Sequence, residues 1–168
     1  MISKKLEKAI NEQINKELYS EYYYLGMAAY FDDEGLPGFA NFFKIQVQEE
    51  RFHAMKFYHY LAERGGKVEL DAIKRPPQDF ESIEDIFKKA YEHEQFVTQS
   101  INSLVDIAIS ENDHATRNFL NWFVEEQVEE EASMDDLLKK VRRIGSHGHG
   151  IYMLDGQLAQ RTFNPVEE

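Results

Sequence analysis

The chain of 168 residues contains no cysteine. That excludes disulfides, thiolate zinc sites, iron–sulfur clusters and cysteine-held iron of the rubredoxin type. Any metal must be bound through carboxylate, imidazole, amide or hydroxyl groups. Proline and glycine are scarce, at four and nine residues. Most of them stand at a few breaks, which leaves long uninterrupted segments for helices. Basic residues are outnumbered, 19 Lys and Arg against 31 Asp and Glu, for a net charge of -12. No basic patch is visible, so no nucleic-acid partner is expected, while an acidic balance suits solubility and draws cations. No stretch approaches a membrane span, and the first ten residues lack the apolar core of a signal peptide. A cytoplasmic protein with no membrane partner is expected.

Apolar and aromatic side chains, by contrast, are plentiful: 42% of the residues are hydrophobic, with twelve Phe and nine Tyr. The length suits one domain over 1–168 with one core, and no repeat or low-complexity tail interrupts it. Four long helical segments follow from the period. The first runs from Ser3, a plausible N-cap, to Glu34 and stops at Gly35. The second opens after Leu36-Pro37-Gly38 and ends at Gly65-Gly66, with proline near its start and glycine past its end. The third begins near Ser82, where Ser-Ile-Glu-Asp reads as a capping box, and ends near Ser110. The fourth runs from about Asp113 to Gly145, so that the bundle occupies 3–144. His147 and His149 lie in a glycine-rich turn, Gly145 to Gly150, read as a flexible joint. A short fifth segment, within 150–161, has apolar residues at 151, 154 and 158. A lone helix of about ten residues is marginal, so its apolar face is expected to dock, plausibly against other subunits.

The link between the second and third segments, residues 67–81, carries Pro76-Pro77 and no helical pattern. A helix of about 27 residues is ~40 Å long, and this link, fully extended, reaches roughly 50 Å. It can therefore run the whole length of the bundle and start the third helix parallel to the second. The other links are short, which makes those neighbours antiparallel. An all-α four-helix bundle with one long crossover and a short fifth C-terminal helix is the expected fold.

Each helix carries a seam at alternating three- and four-residue steps, and each seam holds a carboxylate near its middle. The first reads Leu6, Ile10, Gln13, Glu17, Ser20, Tyr24, Ala28, Phe31. The second reads Phe43, Gln46, Glu50, His53, Phe57, Leu61. The third is apolar except for Glu94, and the fourth includes Phe123, Gln127, Glu130 and Met134. Glu17, Glu50, Glu94 and Glu130 should converge at one level, with His53 and Gln127 beside them. Four buried carboxylates without cations are strongly unfavourable, and no seam supplies Lys or Arg at that level, so metal is the best resolution. An oxygen-rich set with one His and no sulfur points to iron or manganese. A Glu on each of two helices with Glu-x-x-His on each of the others is the pattern of ferritin-like di-iron bundles; Glu50-Arg-Phe-His53 matches it and Gln127-Val-Glu-Glu130 departs from it. A lone Glu on a helix is usually a surface residue, and Glu125 and Glu131 are read so. Four seams interrupted at one level are much harder to obtain by chance. Tyr24, two turns from Glu17, reads as a core aromatic bonded to a carboxylate, as a group that orients a ligand or gives an electron, or as both. Trp122 reads as packing, and His59, His93 and His114 as surface or packing residues.

Over nearly its whole length the sequence resembles the non-haem bacterial and archaeal ferritins. The resemblance rests on Gln13-Ile-Asn-Lys-Glu17-Leu-Tyr-Ser20, Gln48-Glu-Glu-Arg-Phe-His53, Tyr91-Glu-His-Glu94 and the run from Phe119 to Glu131. It implies a ferritin bundle and a ferroxidase centre that oxidises Fe(II) with O2 or H2O2. Glu17, Glu50 and His53 would hold one iron. Glu50 as bridge, Glu94 and Glu130, with Gln127 nearby, would hold the second. Glu49, Glu126 and Glu129, sharing Glu130, would hold a third, accessory iron, and Tyr24 matches the family's tyrosine beside the centre. It also implies a homo-oligomeric cage of twenty-four subunits around a ferric oxide mineral. Bacterioferritin carries a haem-ligating Met at the position of Arg51, so no haem is expected. Animal ferritins have channel carboxylates at the positions of Arg117 and Leu120, which this chain lacks. A different reading is a ferritin-like di-iron peroxidase or oxygenase that keeps its iron; it normally needs a symmetric ligand set, against which the Gln127/Glu130 pair argues. A plain helical interaction protein would have to tolerate the buried carboxylates without metal.

Overall fold

Short polar side chains set where three of the helices begin. In the computed structural model, which describes residues 1–165, the order is α1 (Lys4–Asp33), α2 (Pro37–Glu63), α3 (Ile83–Ser110), α4 (His114–Ile144) and α5 (Gly148–Leu158). Residues 166–168, the end of the expected domain, lie outside the described residues. Ser3 Oγ accepts from the Leu6 N–H at 3.2 Å, Ser82 Oγ from the Asp85 N–H at 3.1 Å, and Asp113 Oδ1 from the Thr116 N–H at 2.9 Å. Each satisfies a donor that the first turn leaves without a partner. Gly35 and Gly65, at φ 71° and 73°, end α1 and α2 in a conformation that L side chains rarely adopt. Among the described residues no helix is long and apolar enough to cross a membrane.

α2 obtains its cap differently. Leu36 at its start offers no side-chain acceptor. Instead Asp155 Oδ1, from α5, accepts from the N–H groups of Gly38 at 2.8 Å and Phe39 at 2.9 Å. A Cβ on Gly38 would lie 1.7 Å from the Asp155 carbonyl oxygen, so only glycine admits this approach. The fifth helix thus departs from expectation in two ways. It begins at Gly148, inside the run read as a flexible joint, because the turn is confined to residues 145–147. Leu154 and Leu158 are buried within the same chain, where α5 packs on α2 and α4, rather than awaiting other subunits.

The crossover lies along α1. Asn11 Nδ2 donates to the Lys67 carbonyl at 2.9 Å and Asn11 Oδ1 accepts from the Glu69 N–H at 2.8 Å. Asn15 Nδ2 reaches the Asp71 carbonyl at 3.1 Å, the Pro77 carbonyl approaches Gly26, and Phe80 meets Tyr30 edge-on with ring centroids 5.6 Å apart. Advancing residues of the link meet advancing residues of α1, so the link runs the length of α1. α3 therefore starts at the far end and lies parallel to α2, as its reach allowed.

Two apolar clusters fill the bundle, one at each end. One stacks Phe31 on Phe39 and Phe43, centroids 5.0 and 5.7 Å apart, with Phe87 against them. The other centres on Phe57 and Phe123, stacked at 4.0 Å. Full burial of such a side chain contributes about 1.5–3 kcal/mol. Between the clusters lies a polar layer, which Tyr24 of the first cluster borders.

Replacing Asp155 with Ala should lower the melting temperature by roughly 2–8 °C, from the loss of about 1–2 kcal/mol of capping. Gly38→Ala should cost more and release α5, seen as faster hydrogen exchange over 148–158. Unchanged melting in both variants would show that the α5 contact does not hold α2.

Candidate metal centre

The polar layer is built from the middles of four helices. α1 contributes Gln13, Glu17 and Tyr24, α2 contributes Gln46, Glu50 and His53, α3 contributes Glu94, and α4 contributes Gln127 and Glu130; all are buried. Glu17, Glu50 and His53 bring ligand atoms within 4.8 Å of one another, and so do His53, Glu126 and Glu130. The expected residues share one buried layer, with Glu94 in neither ligand group. Its cause is the seam: three- and four-residue steps keep these side chains on the inward face of each helix.

Every carboxylate of the layer has a determinate surrounding. Gln13 Nε2 donates to Glu17 Oε1 at 2.7 Å. Gln46 Nε2 donates to Glu130 Oε2 at 3.0 Å. The Tyr24 hydroxyl donates to Glu94 Oε1, and Gln127 Nε2 donates to Glu94 Oε2 at 3.1 Å. Gln127 also reaches Thr98 Oγ1 and the Glu94 carbonyl, both at 3.3 Å, so its amide serves to hold Glu94. His53 Nδ1 stands 3.5 Å from Glu50 Oε2, too long for a good hydrogen bond. Glu17 Oε2, Gln46 Oε1 and Glu50 Oε2 are buried without any partner. Buried oxygens are rarely left so, and Glu17 and Glu50 are grouped with one histidine.

Burial without a cation shows in the acidities. Burial, then the charges of Glu94, Glu17 and Glu130, push Glu50 well above the usual carboxylate range. Burial raises Glu94 to about 7 against the opposing hydrogen bonds of Tyr24 and Gln127. Burial, then Glu94 and Glu49, raise Glu130 to about 8. Burial and Glu94 likewise hold the Tyr24 hydroxyl protonated. A divalent cation would remove the repulsion and give the bare oxygens a partner. The set of carboxylates, one imidazole and no sulfur fits iron or manganese.

The accessory group expected from Glu49, Glu126, Glu129 and Glu130 is only partly assembled. Glu126 Oε1 lies 3.9 Å from His53 Nε2 and is grouped with Glu130. Glu129 is exposed. Glu49 is engaged by Arg161 Nη2 at 2.7 Å, and Arg161 also lies over the Phe42 ring. Sequence reasoning missed Arg161, which follows α5 and falls in no helical period. Glu131, read as a surface residue, is half-buried and its charge acts on Glu94, whereas Glu125 is exposed as expected. His93 is a packing residue, its ring 4.6 Å from that of Tyr23 and its Nε2 2.8 Å from Ser20 Oγ; burial lowers it to about 4. Trp122 lies 5.5 Å from the His53 ring, edge to face, under the Lys56 ammonium at 4.2 Å. His59 and His114 are exposed, as is Arg117, while Leu120 is buried in the core and lines no surface.

The family model for the ferritin-like domain matches residues 7–144. A bacterial non-heme ferritin of Staphylococcus aureus is 44% identical over 98% of this chain and 99% of its own length. Another bacterial non-heme ferritin, from Campylobacter jejuni, is 45% identical over 92% of this chain and 93% of its own. Among solved structures, the open pore ferritin of the hyperthermophilic archaeon Archaeoglobus fulgidus superposes with a TM-score of 0.96 at 49% identity, over 96% of this chain and 100% of that one.

The raised proton affinities carry a stability consequence. Glu94 and Glu130 bind protons in the folded metal-free state up to about 7 and 8, against 4.5 for the ordinary group. Unfolding releases those protons, so this contribution to stability is full below pH 4.5 and is lost as pH rises toward 8. A bound divalent cation displaces the same protons. The melting-temperature increment given by Zn(II) should therefore be larger at pH 8 than at pH 5. An equal increment at both would place the cation elsewhere.

Proposed function

The chain belongs to the ferritin family, and from that premise we propose that it stores iron and oxidises Fe(II) to Fe(III) at the polar layer of its own bundle. The observation that carries this reading is the pair of bare buried oxygens, Glu17 Oε2 and Glu50 Oε2, beside His53. Glu17, Glu50 and His53 take one Fe(II). Glu50, bridging, with Glu94 and Glu130 takes the second, and Gln127 orients Glu94. Two Fe(II) ions give two electrons to one O2, which takes up two protons and leaves as H2O2; with H2O2 as oxidant the same two electrons and two protons yield two waters. The protein supplies position and charge, and the metal pair supplies the electrons.

A site for iron in transit must release its product. The second position has carboxylate ligands and no imidazole of its own, and Glu126 adjoins it with Glu49 and Glu129 beyond. Glu126, the one of these grouped with Glu130, begins the accessory position to which oxidised iron passes on its way to the mineral. Tyr24, donating to Glu94, orients that ligand and can supply one further electron. The subunit is a single ferritin-like domain that works in the cytoplasm in a homo-oligomeric cage of twenty-four copies. Arg51, where bacterioferritin would carry its haem-ligating Met, is exposed and paired with Glu21 at 2.8 Å, and offers haem no such ligand.

Fe(II) added in air to the metal-free protein at rising ratios should co-elute with a very large particle on a sizing column. Iron retained should far exceed roughly two or three per chain, the capacity of a di-iron site with one accessory position. Saturation near two irons in a small oligomer would instead support an enzyme that keeps its iron. Glu50→Ala and His53→Ala should each slow rapid oxidation by more than about tenfold, since even the hydrogen-bond partners of metal ligands are worth ~10–100-fold. Variants as fast as wild type would refute the site assignment.

A further inference from the structure

Three hydrogen bonds run in series from a half-buried lysine to the centre. Lys16 Nζ donates to Ser100 Oγ at 2.6 Å, Ser100 Oγ donates to Gln13 Oε1 at 2.6 Å, and Gln13 Nε2 donates to Glu17 Oε1 at 2.7 Å. The end groups force the direction of the whole series. An ammonium only donates and a carboxylate only accepts, so the Ser100 hydroxyl and the Gln13 amide each have one orientation that completes it. Ser100 and Gln13 are 8% and 1% exposed, where a free rotor would leave an unpaired polar group. Lys16 belongs to the series by placement as well: Glu12 stands one turn away on the same helix, yet the ammonium turns inward to Ser100, 5.9 Å from the centre of the Phe96 ring. None of the iron chemistry above uses Lys16 or Ser100.

We infer that Lys16, Ser100 and Gln13 form a positioning relay that orients Glu17 so that Oε1 is occupied and Oε2 alone is offered to the metal. The inference rests on the reading of Glu17 as an iron ligand. Oε2 is the oxygen that is buried with no partner, and Glu17 is grouped with Glu50 and His53. One oxygen engaged by an amide and the other bare is the state of a carboxylate prepared to bind through a single atom. The relay spans α1 and α3, so it ties the ligand to a helix that does not carry it. It is not a proton path, because the Gln13 amide at its centre does not hand a proton on as a hydroxyl or water does. Its effect is on orientation, strengthened by the positive charge at the head of the chain.

Partners that orient metal ligands are typically worth ~10–100-fold in metal affinity. Metal-free assembled protein would be titrated anaerobically with Co(II), following heat and the visible absorption that reports ligand geometry. Ser100→Ala and Gln13→Leu should weaken the site containing His53 by about tenfold or more and change the Co(II) spectrum. Ser100→Thr keeps the hydroxyl and should restore both, which a packing role alone would not do. Lys16→Met, at the half-buried outer end of the series, should fall between Ser100→Ala and wild type. Wild-type affinity and spectrum in Ser100→Ala and Lys16→Met, or equal impairment in Ser100→Thr and Ser100→Ala, would overturn the relay while leaving the metal site intact. Absence of Co(II) binding in wild type would overturn the metal reading and the relay with it.

Discussion

Four carboxylates meet in the middle of a bundle whose two ends are packed with aromatic rings, and the rest of the structure answers to that arrangement. Desolvation disfavours each charge, and every neighbour of the same sign adds to the cost. Hydrogen-bond donors placed around the layer offset part of it: the amides of Gln13, Gln46 and Gln127 and the hydroxyl of Tyr24 each point at a carboxylate oxygen. They do not neutralise it. The upward shifts of Glu50, Glu94 and Glu130 reflect what is left, and a divalent cation is the chemistry that removes it. The same feature that weakens the metal-free fold thus defines what the fold is for.

The aromatic clusters matter to this as walls. Phe43 and Phe87 on one side, Phe57 and Phe123 on the other, exclude water above and below the layer. Low dielectric makes both the repulsion without metal and the attraction with it larger. A looser core would let water screen the carboxylates and reduce the preference for a cation over a proton.

Local chemistry made much of this legible in the sequence. Ser3, Ser82 and Asp113 cap the helices they precede, because a cap needs only a short side chain and a donor three residues on. The seam gave the level at which Glu17, Glu50, Glu94 and Glu130 meet, because helices of similar length in one bundle share a midpoint. Chain reach gave the crossover. What stayed hidden joins residues far apart in sequence. Asp155 caps α2 from 117 residues away, Ser100 meets Gln13 across 87, and Arg161 meets Glu49 across 112. Periodicity relates residues on one helix and has nothing to say about which polar group of one helix finds which on another. Glu131 shows the same limit from the other side: a position assigned to solvent by its place on the helix is half-buried and acts on Glu94.

The Asp155 cap also orders events in time. α2 carries Glu50 and His53, yet the acceptor for its first turn is made more than a hundred residues later. At ~5–20 residues per second, α2 waits on the order of 5–25 seconds on the ribosome with its leading N–H groups turned to water. The earlier helices can associate in that interval, but the first turn of α2 receives this acceptor only when α5 emerges. Of the four bundle helices, α2 is thereby the last to receive its cap.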